Sequence, residues 1–217
     1  MRLGIVTGMA SEARLFGPSK QGQALAVSAG GDPRSTRDGI DHLIAQGADR
    51  LVSFGIAGAL DPRLKPGDLI IAGAVRAEQD RLPVDQKWLV HLSMQLPEAR
   101  VADIVGSSAI VADAAGKAML HRDTGAACVD QESHWVAEAA KARKLPFIAI
   151  RAIADRAGDD LPQAVLVGLD NQGNPRTSAV IGALLRDPTQ LPGLIRVALQ
   201  TNRALKSLLR GRAALLL

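Results

Sequence analysis

Three acidic side chains in the sequence, Glu12, Glu132 and Asp155, each follow a predicted strand directly. In α/β sheets, ligands bind beyond the carboxyl ends of the strands, because the loops there hold side chains over one edge. A carboxyl group in that place can transfer a proton near neutral pH if an apolar setting or a ligand raises its pKa. The three acids are therefore candidate catalytic residues at one edge of a sheet.

Each acid also has a structural interpretation, which the sequence leaves open. Glu12 lies in the first turn of a predicted helix with Ser11 as its cap, and the helix dipole favours an acid there. Glu132 lies near another helix start and shares a helix face with Trp135. Asp155 could cap a turn. The glycines of "GGDP" and "GIAG" likewise have two interpretations. They could be present only because the turn needs a positive φ angle, or their backbone amides could face a ligand.

The elements that position these residues alternate between short apolar runs and helical patterns, which predicts an α/β fold. No repeat or linker interrupts the chain, so a single domain over residues 1–217 is expected. Strands are predicted at 2–8, 24–29, 50–54, 68–75, 127–130 and 147–153, with one or two more inside 99–113. Residues 55–60 are predicted to form a turn. Helices are predicted at 11–16, 34–46, 85–96, 131–144, 177–185 and 190–217, the last two separated by Pro188 and Pro192.

Composition narrows the function classes. The chain has 217 residues, 47% hydrophobic and only 2% aromatic, with a net charge of +4. The near absence of aromatic rings argues against nucleic-acid binding, which uses them for stacking. Cys128 is the single cysteine, which excludes an internal disulfide and favours the cytoplasm. No apolar run approaches the ~20 residues of a membrane-spanning helix. The four histidines lack metal-ligand spacing, so no metal is expected.

Three segments carry a family resemblance: "LGIVTGMASEARL", "GIAGALDPRLKPGDLIIA" and "CVDQESHWVAEAAKARKLPFIAIRAIADRAGD". Together they resemble the nucleoside phosphorylase and methylthioadenosine/S-adenosylhomocysteine nucleosidase superfamily. "VADAAGKAMLHRDTGAACVDQESH" and the leucine- and arginine-rich tail look most like the hopanoid-associated phosphorylases, which are thought to release adenine from adenosylhopane. The resemblance implies a three-layer α/β/α fold with a mixed central sheet, a homo-oligomer and a nucleoside substrate.

The resemblance also implies a role for each acid. Asp155 corresponds to the aspartate that protonates purine N7, and Glu132 to the glutamate that holds the ribose hydroxyls. Glu12 corresponds to the acid that activates water in the hydrolytic branch. The implied substrate-binding residues are Met9, Gly55, Ile56, Ala115 and Gln131.

Several positions depart from the family pattern. Ile56 replaces a small polar residue, Gln131 a methionine and Ala115 an aromatic residue. Ala154 stands where serine is common, and Ser53 stands where one phosphorylase branch has its phosphate-binding arginine. These departures leave open whether phosphate or water attacks the sugar.

Phosphate, the one co-substrate that the resemblance allows, would need another site. Gly30 and Gly31 with Arg34 and Arg37 are the candidates, since anions are favoured at a helix N-terminus. Glu12, by contrast, fits attack by water.

Two features of the sequence suggest contact with lipid: candidate aliphatic residues around the 5′ position of the substrate, and a basic C-terminal helix. An aliphatic pocket would suit a long hydrocarbon, although ordinary core packing is an equal alternative for its candidate residues, Met9, Ile56, Trp88, Met119 and Trp135. The tail over 188–217 carries Arg196, Arg203, Lys206, Arg210 and Arg212. As a basic amphipathic helix it could pack on its own domain or lie on the inner face of a membrane.

The leading hypothesis is thus an enzyme that releases adenine from a 5′-modified adenosine, most of all adenosylhopane. A methylthioadenosine/S-adenosylhomocysteine or futalosine nucleosidase is the enzymatic alternative. A nucleoside-binding or membrane-associated protein without activity is the alternative of another class.

Overall fold

The computed structural model describes residues 2–17, 23–78, 80–168 and 176–217. The strands are β1 (Leu3–Thr7), β2 (Ala24–Ser28), β3 (Arg50–Ala59), β4 (Leu69–Ala77), β5 (Asp80–Pro83), β6 (Arg100–Gly106), β7 (Cys128–Asp130) and β8 (Phe147–Asp155). The helices are α1 (Ala10–Ala13), α2 (Pro33–Ala45), α3 (Gln86–Gln95), α4 (Ala114–Thr124), α5 (Ser133–Arg143), α6 (Gln163–Leu166), α7 (Thr177–Arg186) and α8 (Leu191–Leu215).

The strands form one mixed sheet. β3, β8, β4, β6 and β7 pair in succession and close into a ring, because β7 pairs again with β3. β1 and β2 extend the sheet from β3, and β5 pairs with β4. Helices α2 and α5 pack together on one side, and α8 packs against β8 on the other. The predicted α/β fold with a mixed central sheet is confirmed, whereas nothing in the sequence indicated the ring.

β3 continues through "GIAGA", so the turn predicted at 55–60 is wrong. Neither Gly55 nor Gly58 has a positive φ angle. Each lies instead beneath an acidic side chain: an added Cβ would be 2.8 Å from Oε1 of Glu12 at Gly55, and 3.3 Å from the carboxyl oxygens of Asp155 at Gly58. These glycines make room for carboxyl groups against β3, whose register with β8 shifts between Ala57 and Gly58.

Three elements were not predicted: β5, α4 and the four-residue helix α6. β5 is a short strand with only Leu82 buried, too polar to show an apolar pattern. α4 begins where the Asp113 carboxylate accepts a hydrogen bond from the Gly116 amide at 2.7 Å. It ends at Gly125, whose φ is 66°. The residue that α4 buries is Lys117, so this helix has no apolar face from which it could be recognised.

The final helix packs on its own domain. α7 and α8 are separate, as predicted, with Pro188 between them. Pro192 lies in the first turn of α8, where its missing N–H costs no hydrogen bond. An added Cβ on Gly211 would be 3.2 Å from the Ile150 side chain, which shows how closely α8 approaches β8. The buried face consists of Gln200, Ala204, Leu208, Gly211, Ala214 and Leu215. Within the described ranges, no helix is long and apolar enough to cross a membrane.

Candidate active site

A cavity of about 190 Å³ lies toward the carboxyl ends of β1, β3, β7 and β8. Glu12, Glu132 and Asp155 all line it, although more than 100 residues separate the first from the other two along the chain. The other lining residues are Gly8, Met9, Gly30, Ile56, Ala57, Gly58, Ala109, Ile110, Val111, Val129, Asp130, Gln131, Ala154 and Leu161. The fold thus brings the three predicted acids to a single place.

Glu12 is held as a hydrogen-bond acceptor. Its Oε2 accepts from the Met9 amide and its Oε1 from the Ile56 amide, both at 2.8 Å. The residue is only 1% exposed. Burial raises the pKa of this carboxyl, while the two amides act in the opposite direction. A carboxyl with a raised pKa and fixed oxygens is suited to accept a proton from a water molecule in the cavity.

Glu132 lies at the N-terminus of α5, where its side chain packs against Gly8. An added Cβ on Gly8 would be 2.5 Å from Oε1 of Glu132. Burial and the neighbouring Asp130 carboxylate raise the pKa of Glu132 to about 8. The Arg151 guanidinium opposes this shift from 3.9 Å, too far for a hydrogen bond. The carboxyl is therefore close to its own titration at neutral pH, where it can respond to charge in a ligand.

Arg151 is a buried cation beneath the cavity floor and was not placed there by sequence reasoning. Its guanidinium donates to Asp130 Oδ2 at 2.8 Å, to Ser53 Oγ at 2.6 Å and to the Ile150 carbonyl at 3.0 Å. Asp130 also accepts from the amides of Glu132 and Ser133. Arg151 thus fixes the loop that carries Glu132, and its carboxylate partner is Asp130, whereas that of Asp155 is Lys117.

Asp155 is paired with a lysine that sequence reasoning missed. Oδ2 of Asp155 lies 2.5 Å from Nζ of Lys117, which is completely buried. Burial raises the pKa of the Asp155 carboxyl, and the Lys117 charge lowers it. A single lysine in the small-residue stretch "AAGKAML" was the available signal. Its partner, the Asp155 carboxylate, is 38 residues away, so the spacing of residues in the sequence could not reveal the pair.

Some predicted site residues lie away from the cavity. Arg34 and Arg37 are exposed on α2, and the Asp32 carboxylate already caps that helix by accepting from the Ser35 amide at 2.7 Å. Gly30 lines the cavity, while Gly31 packs against the Gln131 side chain. Gly55 lies behind Glu12, and Ala115, Met119, Trp88 and Trp135 are not among the lining residues.

The apolar wall of the cavity is only partly as expected. Met9 and Ile56, both named as candidates from the sequence, contribute to it. Ile110 and Val111 lie in the segment 99–113 where a second strand was possible, but they belong to a loop after β6, and Leu161 comes from the loop after β8. Ile110 is 48% exposed, so this wall continues to the surface. In the described part of the chain, no group of three or more His, Cys, Asp or Glu side chains is arranged to hold a metal ion.

Similar solved structures share this fold. 5′-Methylthioadenosine/S-adenosylhomocysteine nucleosidase from Neisseria meningitidis, in complex with methylthio-immucillin-A, has a TM-score of 0.74 at 15% identity over 99% of this chain and 98% of that one. The corresponding nucleosidase of Colwellia psychrerythraea 34H, in complex with adenine, has a TM-score of 0.67 at 17% identity, covering 97% and 95%. Futalosine hydrolase of Helicobacter pylori strain 26695 has a TM-score of 0.64 at 16% identity, covering 96% and 97%.

Sequence comparison identifies the family. No curated protein sequence matches the chain significantly. The family model described as "Phosphorylase superfamily" matches residues 20–186, which is most of the 217 residues. The resemblance inferred from the motifs is thereby confirmed at the level of the superfamily. The chain belongs to the phosphorylase superfamily and is an enzyme of its nucleoside-cleaving type.

Proposed function

We propose that the protein releases adenine from a 5′-modified adenosine by hydrolysing its N-glycosidic bond. The observation that carries this proposal is the meeting of Glu12, Glu132 and Asp155 at one small cavity. Breaking such a bond requires the base to leave neutral and the cationic sugar to be stabilised by an anion. The complexes of similar structures with adenine and with methylthio-immucillin-A support the choice of an adenosine.

Each carboxyl group has one task in this reaction. Asp155 gives its proton to purine N7 as the bond to C1′ breaks, so that adenine departs neutral. Glu132 holds the ribose hydroxyls, and the growing positive charge on the sugar favours its ionised form, so its stabilising effect increases toward the transition state. Glu12 takes a proton from the water molecule, whose hydroxyl group then bonds to C1′.

The electrostatics favour water over phosphate as the nucleophile. Four carboxyl groups line the cavity, those of Glu12, Asp130, Glu132 and Asp155, and no Arg or Lys is among the described residues that line it. An anionic phosphate would therefore find no cationic side chain among the described lining residues with which to pair. The Arg151 guanidinium, the nearest cation to Ser53, is occupied by Asp130 and is 1% exposed.

The apolar wall supports a hydrocarbon at the 5′ position. Met9, Ile56, Ile110, Val111 and Leu161 offer aliphatic surface and no aromatic ring. Each Å² of apolar substrate surface buried there would stabilise the complex by ~25 cal/mol. Adenosylhopane, which carries a large lipid at this position, is therefore the substrate that we propose, and methylthioadenosine, S-adenosylhomocysteine and futalosine are the competitors.

An adenine-release assay tests substrate and nucleophile together. The protein is incubated with methylthioadenosine and with an adenosine that carries a 5′-dodecyl group, each with and without phosphate. We expect faster release from the dodecyl compound, at a rate that phosphate does not change. Faster release from methylthioadenosine would contradict the lipid substrate, and a requirement for phosphate would contradict hydrolysis. Release from neither compound would favour a binding protein.

The C-terminal segment supports contact with an anionic membrane surface. Residues 176–217 contain seven Arg or Lys and one Asp, while the whole chain has 26 basic and 22 acidic residues, so the remainder is net negative. On the outer face of α8, Leu191, Ile195 and Leu199 are 48%, 52% and 58% exposed at helical spacing. Apolar side chains beside basic ones are typical of helices that lie in an anionic membrane interface. A second copy would instead bring like charges together.

Vesicle sedimentation tests this contact. We expect binding to phosphatidylcholine vesicles only when they contain phosphatidylglycerol, because basic residues need an anionic surface. The double variant Ile195→Asn/Leu199→Asn should weaken binding at least about tenfold through the lost apolar burial. The matched control is Val90→Asn/Met94→Asn, which removes an equally spaced exposed pair from α3 and should bind normally. Equal binding by both double variants, or binding to neutral vesicles, would contradict the assignment.

A further inference from the structure

The buried pair of Lys117 and Asp155 is the strongest unexplained feature beside the cavity. Nζ of Lys117 donates to Asp155 Oδ2 at 2.5 Å, to the Asp159 carbonyl at 2.7 Å and to the Arg156 carbonyl at 3.2 Å. An ammonium group has three protons, and these three acceptors use all of them. The side chain is 0% exposed, so the cation is fixed in place and has no alternative partner in solvent.

This arrangement separates the two oxygens of Asp155. Oδ2 is occupied by Lys117, and within the described ranges no hydrogen bond to Oδ1 is found. Lys117 does not line the cavity, whereas Asp155 does, so the lysine lies behind the carboxyl group. The oxygen that remains for a ligand is therefore Oδ1.

Lys117 also ties the loop that follows β8. Its two carbonyl acceptors, Arg156 and Asp159, belong to this loop, whose Leu161 lines the cavity. The Asp159 side chain accepts in turn from Gln200 of α8 at 3.1 Å. One buried ammonium group thus joins α4, the end of β8 and the loop at the cavity wall.

If packing were the only requirement, a hydrophobic side chain would fill this position without the desolvation free energy that a buried cation costs. Resting on the function proposed above, we propose that Lys117 is a positioning residue of the reaction: it holds Oδ2 of Asp155, so that Oδ1 transfers the proton to the departing base. Before the next cycle Glu12 releases its proton to solvent and Asp155 regains one from it. No covalent bond to the lysine is formed, and its ammonium group keeps all three protons.

The expected pH dependence has a definite sign. The charged groups that face Asp155 are Lys117 from α4 and Asp159 from the following loop, with Glu12 and Glu132 on the same cavity. Burial raises the pKa of Asp155, and Lys117 lowers it. Because the acid must be protonated to act, activity falls as pH rises through this pKa. Removal of the lysine charge should therefore move the alkaline limb of the pH–rate profile to higher pH.

The test compares Lys117→Met, Asp155→Asn and the double variant in the adenine-release assay with the 5′-dodecyl adenosine. Lys117→Met should lower kcat by about 10²-fold, since a fixed proton donor is worth about 10²–10⁴-fold, with a small change in KM and the shifted alkaline limb. The double variant removes both charges, so it should fold even if Lys117→Met does not. If Lys117 acts through Asp155, the double variant will be no slower than Asp155→Asn alone.

The possible outcomes are distinct. An unshifted pH profile in Lys117→Met, or a double variant much slower than Asp155→Asn, would overturn the positioning role while the proposed function stands. If the wild-type protein released adenine from neither probe, the proposed function would fail, and the inference would fail with it. Thermal unfolding of each variant identifies a loss of activity that comes from a loss of folded protein.

Discussion

Asp155→Asn should lower the turnover of adenine release by about 10²–10⁴-fold, the range typical of a lost general acid. The amide fits the same space against Gly58 and can still accept from Lys117, but it carries no acidic proton. Binding of adenosine compounds should change much less than turnover. The measurement is steady-state adenine release, with kcat and KM determined separately.

The matched control for this variant is Asp123→Asn, which changes an exposed carboxylate on α4. It should retain wild-type turnover. Near-normal turnover of Asp155→Asn in folded protein would refute the role of Asp155 as the acid.

Glu12→Gln is expected to have an effect of similar size, about 10²–10⁴-fold on kcat, because water would lose the base that activates it. Both carboxyl oxygens of Glu12 accept hydrogen bonds from backbone N–H groups. In the glutamine variant one of these N–H groups would face the side-chain NH₂ group, which is also a donor. The control is Glu138→Gln, an exposed change on α5 outside the cavity.

The pH profile distinguishes the base from a merely structural residue. Burial raises the pKa of Glu12, and only its ionised form can accept a proton, so wild-type activity should rise with pH through that pKa. Glu12→Gln should lack this acidic limb. A variant that is slow but keeps the limb would show that another group activates the water.

The elements that sequence reasoning found are those whose local pattern matches their final environment. β1 and β8 are fully buried strands and read as continuous apolar runs. α2 begins at Pro33 after Asp32, which is a strong start signal. α4 was not predicted because the residue that it buries is Lys117, whose partner Asp155 lies at the end of β8. The ring of five strands depends on long-range pairing, which local periodicity does not report.

The part of the candidate site that could be predicted from the sequence is the set of acids at the ends of strands. Glu12 and Glu132 follow β1 and β7, Asp155 is the last residue of β8, and the topology of the sheet brings those ends together. The buried cations were not predictable, since their roles depend on partners far away in the sequence. Arg151 could have been assigned to Asp155 from proximity in sequence, yet it pairs with Asp130.

The glycines show a related limit. Gly55 and Gly58 were predicted in a turn and Gly8 at the end of a strand, but each lies against one of the three catalytic candidates. An added Cβ would meet a carboxyl oxygen at 2.5 Å from Gly8, 2.8 Å from Gly55 and 3.3 Å from Gly58. Their function is to let acidic side chains lie flat against the backbone, and this requirement becomes visible only when the partners are known.

The central claim is that three acids, distant along the chain, surround one nucleoside, and a crystal structure with a non-hydrolysable adenosine analogue tests it most directly. The account predicts purine N7 at hydrogen-bond distance, about 3 Å, from Oδ1 of Asp155, the ribose hydroxyls at Glu132 and a water molecule between Glu12 and C1′. A nucleoside bound elsewhere, or bound here with its base directed away from Asp155, would contradict it.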